Sequence, residues 1–137
     1  MSERETQILE RYWRRVGGTL ILEFPLVKRS PTSSPRRLDG LILPDAERRQ
    51  LRWSEFKVEE GTPTEKVVEG ADIVAVQVKP HRLDLPLLGQ TFFAVRLLER
   101  LQPASIRGVA LCTRDDRALR EVFVAYPNME VEVDDPD

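Results

Sequence analysis

Hydrophobic and polar positions change their period several times along this chain, and each change marks an element. From Ser2 to Val16 the apolar residues Ile8, Leu9, Tyr12, Trp13 and Val16 recur at helical spacing, which predicts a helix with one buried face. Ser2 and Glu5 make the S-x-x-E of a capping box at its start, and Gly17-Gly18 stops it. "TLILEFPLVK" (Thr19 to Lys28) reads as a strand in which Pro25 marks an edge or a bend. After the loop "RSPTSSP", the segment "RRLDGLIL" (Arg36 to Leu43) is a second strand, ended by Pro44-Asp45. "LRWSEFKV" (Leu51 to Val58) reads as a further strand, part of an inserted hairpin arm over residues 48–70. "ADIVAVQVK" (Ala71 to Lys79), rich in Val and Ile, carries the strongest strand signal in the chain.

Asp84 as N-cap and Pro86 in the first turn open a helix that runs to Leu101, with Leu87, Phe93, Ala94, Leu97 and Leu101 expected on one buried stripe. "IRGVALC" (Ile106 to Cys112) is another buried strand. "TRDD" is expected to cap the short helix "RALREVFVAY", and "MEVEV" adds a last strand before an acidic tail, residues 130–137, frays. Antiparallel strands come first and a helical crossover later. That order predicts an α/β fold, a mixed central sheet flanked by helices.

Composition narrows the chemistry. A chain of 137 residues is one domain's worth of sequence, and 41% apolar with 32% charged residues is ordinary for a water-soluble globular protein. No run approaches the ~18 apolar residues of a membrane span, and the start "MSERETQ" is too polar for a signal peptide, so a cytoplasmic protein without membrane contact is expected. One cysteine, Cys112, and one histidine, His81, leave no internal disulfide, zinc site or Cys/His catalysis. Carboxylate-bound hard cations remain open. The net charge of −2 is unevenly spread: Lys28 to Arg52 holds seven basic residues against three acids, while Glu130 to Asp137 holds five acids and no base. The basic stretch suits either phosphate contact or a solvated arginine-rich face.

Alternation along the strands picks out the candidate site. Asp39 shares a strand face with Leu41 and Leu43, and Gln77 shares one with Lys79. If the two strands are neighbours, an acid, an amide oxygen and an ammonium meet at one end of the sheet. Such a group can hold a hard cation and position a water, or it can be an ion pair that simply ends the sheet.

In order, Glu5 on a first helix, "RRLDGLIL", "IVAVQVK" and "LLGQTFFAVRLLE" resemble the PD-(D/E)xK nuclease superfamily over about residues 2–113. The resemblance implies the restriction-endonuclease-like fold with its αβββαβ core. It implies a metal-dependent nuclease that hydrolyses DNA phosphodiester bonds with Mg2+ or Mn2+. Asp39 takes the place of the metal-binding aspartate, Gln77-Val78-Lys79 that of the (D/E)xK motif, Glu5 that of a helix-one metal ligand, and Gln90 that of the glutamine in the following helix. In this mapping Asp39, Gln77, Lys79 and Gln90 are catalytic, and Arg36, Arg37 and Arg82 meet phosphates. Three departures are visible: Leu38 rather than proline precedes Asp39, the neutral Gln77 replaces the motif acid, and Ala94 stands where a tyrosine follows the helix glutamine. A rival E-x-K, Glu55 and Lys57, lies in "WSEFKVEE". Glu5 is a ligand or only a capping residue, and Trp53 stacks on a base or packs in the core. A homodimer is expected, so that both strands of a duplex are engaged. The alternative to an enzyme is a catalytically silent module of the same fold that binds nucleic acid or protein.

Overall fold

A computed structural model describes residues 1–136. The acidic end expected at Asp137 lies outside the described residues. Eleven elements follow one another: α1 (Glu3–Val16), β1 (Thr19–Val27), β2 (Arg36–Leu43), β3 (Arg49–Arg52), α2 (Trp53–Glu60), α3 (Thr64–Val68), β4 (Asp72–Val78), α4 (Leu85–Glu99), β5 (Ser105–Cys112), α5 (Arg117–Phe123) and β6 (Met129–Val133). They build one six-stranded sheet in the order β3-β1-β2-β4-β5-β6. β1 and β2 form the antiparallel hairpin and β2 runs antiparallel to β4, whereas β4, β5 and β6 are parallel through the crossover helices. The mixed sheet flanked by helices is the α/β architecture that the order of elements predicts.

Each face of the sheet carries its own core. On one side α1 sets Ile8, Leu9, Tyr12 and Trp13 against Val74, Val76, Val78, Val109 and Leu111. On the other, α4 lays Leu87, Ala94, Val95 and Leu98 over Ile73, Ala75, Ala110 and Cys112, with α2, α3 and α5 filling the flanks. The capping box of α1 forms in both directions: Glu5 N–H donates to Ser2 Oγ (3.1 Å) and Ser2 N–H to Glu5 Oε1 (2.9 Å). Pro25 satisfies its edge-or-bend reading on both counts. It lies beyond the part of β1 that β3 covers, Thr19 to Leu22, and the register with β2 shifts between Pro25 and Val27.

Two glycines let the helices close on the sheet. A Cβ on Gly40 would come within 2.8 Å of Leu9 Cδ2 on α1, and one on Gly108 within 2.5 Å of Val95 Cγ2 on α4. The first approach carries the start of α1 toward the end of the sheet, and the second seats the turn of α4 that holds Gln90 and Thr91.

Four expectations are corrected. Residues 53–60 form a helix, not the outer part of a strand, so residues 48–70 are a short edge strand with two helices rather than a hairpin arm. The signals were local: Glu55 accepts from Arg52 N–H (3.0 Å), and Trp53 stacks on Phe56 three residues on, with ring centroids 5.8 Å apart. Arg49 then ties the far end of α2 to β3 through Glu59 and Glu60 (3.0 and 2.6 Å). The buried stripe of α4 is Leu87, Leu88, Thr91, Ala94, Val95 and Leu98, and Phe93 is 65% exposed. The N-cap of α5 is Asp116, whose side chain accepts from Leu119 N–H, rather than Thr113. The chain does not fray at Asp134, because Arg11 donates two hydrogen bonds to its carboxylate (2.9 and 2.7 Å).

Substituting Gly108→Ala tests the α4 contact. Val95 is stiff at χ1 and cannot swing aside, so overpacking is expected to lower stability by about 1–3 kcal/mol. Thermal or urea denaturation that leaves stability unchanged would show that α4 does not rest on β5 at this point.

Candidate functional site

The ladder between β2 and β4 pairs Gly40 to Ile42 with Val76 to Val74 and then stops. Beyond it β4 stays with β5, as far as Val78 opposite Leu111 and the Lys79 N–H to Leu111 O bond (3.0 Å). β4 therefore leaves β2 while keeping its other neighbour, and a cleft opens at the parting. Backbone groups that lose ladder partners there must find others. Side chains supply them. Val78 N–H donates to Asp39 Oδ2 (2.9 Å), and Asp39 N–H donates to Gln77 Oε1 (3.2 Å).

The cleft, of about 740 Å³, is lined by Asp39, Gln77 and Lys79 from the sheet, by Gln90 and Phe93 from α4, and by Arg36 and Arg37 from the start of β2. Asp39 and Lys79 thus converge as their strand positions require. Gln77 is buried, with one carbonyl lone pair taken by the Asp39 N–H. Gln90 lies on the exposed flank of α4, facing this cleft. Phe93, one turn further along, belongs to the same wall. Its spacing from Gln90 was the available signal, obscured because an apolar residue on a helix reads first as core.

Glu5 reaches the site from the opposite face. It is not in the cleft wall; its Oε2 lies 4.0 Å from Lys79 Nζ while its Oε1 holds the Ser2 N–H. The capping role and the polar contact are therefore both present. Arg82 does not line the cleft: it is exposed in the turn after β4, bridged to Arg114. His81 stands exposed in the same turn, its Nδ1 3.0 Å from Arg82 O. Glu55 and Lys57 lie two apart on a helix, where side chains point to different sides, so they do not form a strand motif.

The two acids titrate in opposite directions. Burial pushes the Asp39 carboxyl above its ordinary value, and the nearby Glu5 charge adds to this, against the Val78 hydrogen bond and the Lys79 ammonium. Glu5 is also raised by burial, but the hydrogen bonds from Ser2, together with Lys79, outweigh it and hold its carboxyl low. Among the described residues no three Asp, Glu, His or Cys side chains gather into a metal-holding group. The available donors are Asp39, the remaining lone pair of Gln77 and, one contact away, Glu5. All are oxygens. That set suits a hard cation completed by water and phosphate oxygens, since magnesium is commonly held by one or two carboxylates plus its substrate. No helix among the described residues is long and apolar enough to cross a membrane.

Neither protein-family models nor curated proteins match this chain. Among solved structures it is similar to the crystal structure of a repair endonuclease from Pyrococcus abyssi, with a TM-score of 0.56 and 16% identity, over 100% of this chain and 48% of that one. The chain thus spans about half the length of that endonuclease. At this identity the likeness is one of fold alone: a mixed sheet flanked by helices in a restriction-endonuclease-like arrangement.

Proposed function

We propose that this chain is a metal-dependent nuclease that hydrolyses DNA phosphodiester bonds at the parting of β2 and β4. The observation that carries the proposal is the convergence of Asp39, Gln77 and Lys79 in one cleft beside Arg36 and Arg37. Asp39, with Oδ2 fixed by Val78 N–H, would hold Mg2+ or Mn2+ through Oδ1, aided by the Gln77 carbonyl. A bound cation would polarise a phosphate oxygen and offset the charge that develops on it. Lys79 would orient the attacking water, and Glu5, 4.0 Å from its Nζ, would keep the ammonium at the cleft mouth. Gln90 would hydrogen-bond the water or a phosphate oxygen. Arg36 and Arg37 would bind the phosphates on either side of the cut. The water oxygen joins phosphorus and gives up a proton to solvent, the bond to the 3′ oxygen breaks, and that oxygen takes a proton from solvent.

A second reading has its own observation. The Gln77 oxygen already serves the Asp39 N–H, and no three-residue group of Asp, Glu, His or Cys surrounds the cleft among the described residues. This favours a silent module that binds nucleic acid without cutting it.

Cleavage of labelled DNA in Mn2+ or Mg2+ separates the two. Asp39→Asn and Lys79→Ala are expected to reduce it about a hundredfold or more, in keeping with the loss of a preorganised polar group. Lys57→Ala should leave the rate at the cleft unchanged on blunt duplex. A wild-type protein that cuts no DNA with either ion leaves the silent module.

Stability against pH provides a test independent of turnover. The folded chain holds the Asp39 proton more tightly than the unfolded chain does. This group's contribution is therefore fully present below the ordinary carboxylate pKa and is lost as pH rises through the folded value. Wherever Asp39 is ionised, its buried charge is a cost to the fold. Asp39→Asn keeps an acceptor for Val78 N–H and removes that charge. It should melt higher than wild type at pH 7, with the difference closing in acid. Millimolar Mn2+ should raise the melting temperature of wild type and not of Asp39→Asn. Equal melting temperatures at every pH would contradict the placement of Asp39.

A further inference from the structure

A second cleft adjoins the first and, Arg37 apart, plays no part in the chemistry above. It holds about 720 Å³ between the β1–β2 hairpin and the β3–α2–α3 segment, and its wall includes Lys28, Arg37, Arg52, Trp53 and Lys57. The acid in that wall, Glu23, is already engaged by Arg37 (3.7 Å) and by the terminal amine of Met1 (3.6 Å). Lys28 is bridged to Glu65 (3.8 Å), so on a chain of net charge −2 the wall's excess positive charge rests on Arg52 and Lys57. Trp53 is its aromatic member. The indole stacks on Phe56 and meets Phe24 edge-on at 5.1 Å, so its plane is fixed, while the part left uncovered lines the cleft. The two clefts are neighbours: Arg37 lines both, and Pro25 of one is followed in β1 by Leu26 and Val27 of the other.

We propose that this basic, aromatic cleft binds a single-stranded stretch of nucleic acid leading into the Asp39 cleft. The inference rests on the nuclease proposal for its direction but not for its contacts. Lysine and arginine at the wall meet backbone phosphates. The indole offers a stacking surface that only an unpaired base can use, because bases in a duplex keep their faces covered by their neighbours. The substrate class that follows is DNA with an unpaired segment beside the cut, such as a flap or a tailed duplex. Arg37, shared by both clefts, would bind the phosphate at the junction.

Binding is measured first in EDTA, where no cutting occurs, by fluorescence anisotropy of a labelled oligothymidylate about 12 nucleotides long, within the range of single-strand site sizes. The probe variant is Arg52→Ala/Lys57→Ala. Both residues are exposed and outside the core, so the fold is retained, and circular dichroism checks that it is. Wild type is expected to bind, and the double variant to lose about tenfold in affinity or more. Its log K against log salt slope should be shallower by about 1.4, the value for two lost phosphate contacts on a single strand. Tryptophan fluorescence should be quenched by the oligonucleotide through Trp53, since Trp13 is buried at 8% exposure. With Mn2+, the double variant should lose its preference for tailed over blunt duplex while still cutting the blunt one. Unchanged affinity and slope in the double variant would overturn the proposal. So would blunt duplex binding as tightly as the single strand, or polyglutamate displacing the oligonucleotide equally well, which would assign the cleft to duplex or to an acidic peptide. If the binding results hold and nothing is cut, the nuclease reading falls and the single-strand cleft stands.

Discussion

The site depends on a broken ladder. Where β2 leaves β4 after Gly40 and Val76, the amide of Val78 would be left without a partner on one side, and a buried unpaired amide is costly. The carboxylate of Asp39 fills that place, and the amide of Asp39 is filled in turn by Gln77. Two side chains are thereby held by backbone rather than by mobile loops. Lys79 follows directly, its own amide fixed to Leu111. The same parting opens the space between the strands, so the cleft and the groups that line it share one cause. A site built on strand ends in this way is held more rigidly than one built on loops alone.

The cost of this arrangement falls on Asp39. Its charge is drawn partly out of water and stands near Glu5, while the ammonium of Lys79 compensates both. Glu5 has the Ser2 hydrogen bonds to keep it ionised; Asp39 has one amide and more burial. The two carboxyls therefore shift in opposite directions, Asp39 up and Glu5 down. Glu5 owes its place to packing on the far face: Leu9 fits over Gly40, and the turn before Leu9 then lies beside the end of the sheet. One residue without a side chain thus connects the helix on one face to the chemistry on the other.

What could be read from the chain and what could not divides along physical lines. The strands carrying Asp39 and Gln77-Val78-Lys79 were legible because they are short, mostly apolar runs rich in branched residues and bounded by turn signals. Residues 53–60 were misread because Trp, Phe and Val suit a strand, and the deciding contacts, Glu55 on the Arg52 amide and Trp53 on Phe56, are helical ones that a period-two pattern conceals. Phe93 was placed in the core because apolar residues usually are, yet it forms a cleft wall at 65% exposure. Of the second cleft only parts were legible: the basic stretch from Lys28 to Arg52 suited phosphate contact and Trp53 a stacked base, but nothing in the chain assembled them. Lys28, Arg52 and Lys57 come from three segments, and only the parallel pairing of β3 with β1 brings them together.

Gln77 shapes how the proposed reaction would begin. A carboxylate at that position would give the cleft a third negative charge near Asp39 and Glu5, enough to hold a divalent cation before substrate arrives. The amide gives none, and half of its acceptor capacity already serves the Asp39 N–H. Two carboxylates against one ammonium leave only a weak attraction for a free ion, so that millimolar concentrations are needed to bind it without substrate. A phosphate drawn in by Arg36 and Arg37 changes that, because its oxygens complete the ion's shell and its charge replaces the missing acid. Metal and nucleic acid would then bind as a unit, each raising the affinity for the other, as linkage requires. The neutral residue in the motif and the arginines at the mouth of the cleft are, on this view, two parts of one arrangement: the chain withholds a charge that the substrate brings.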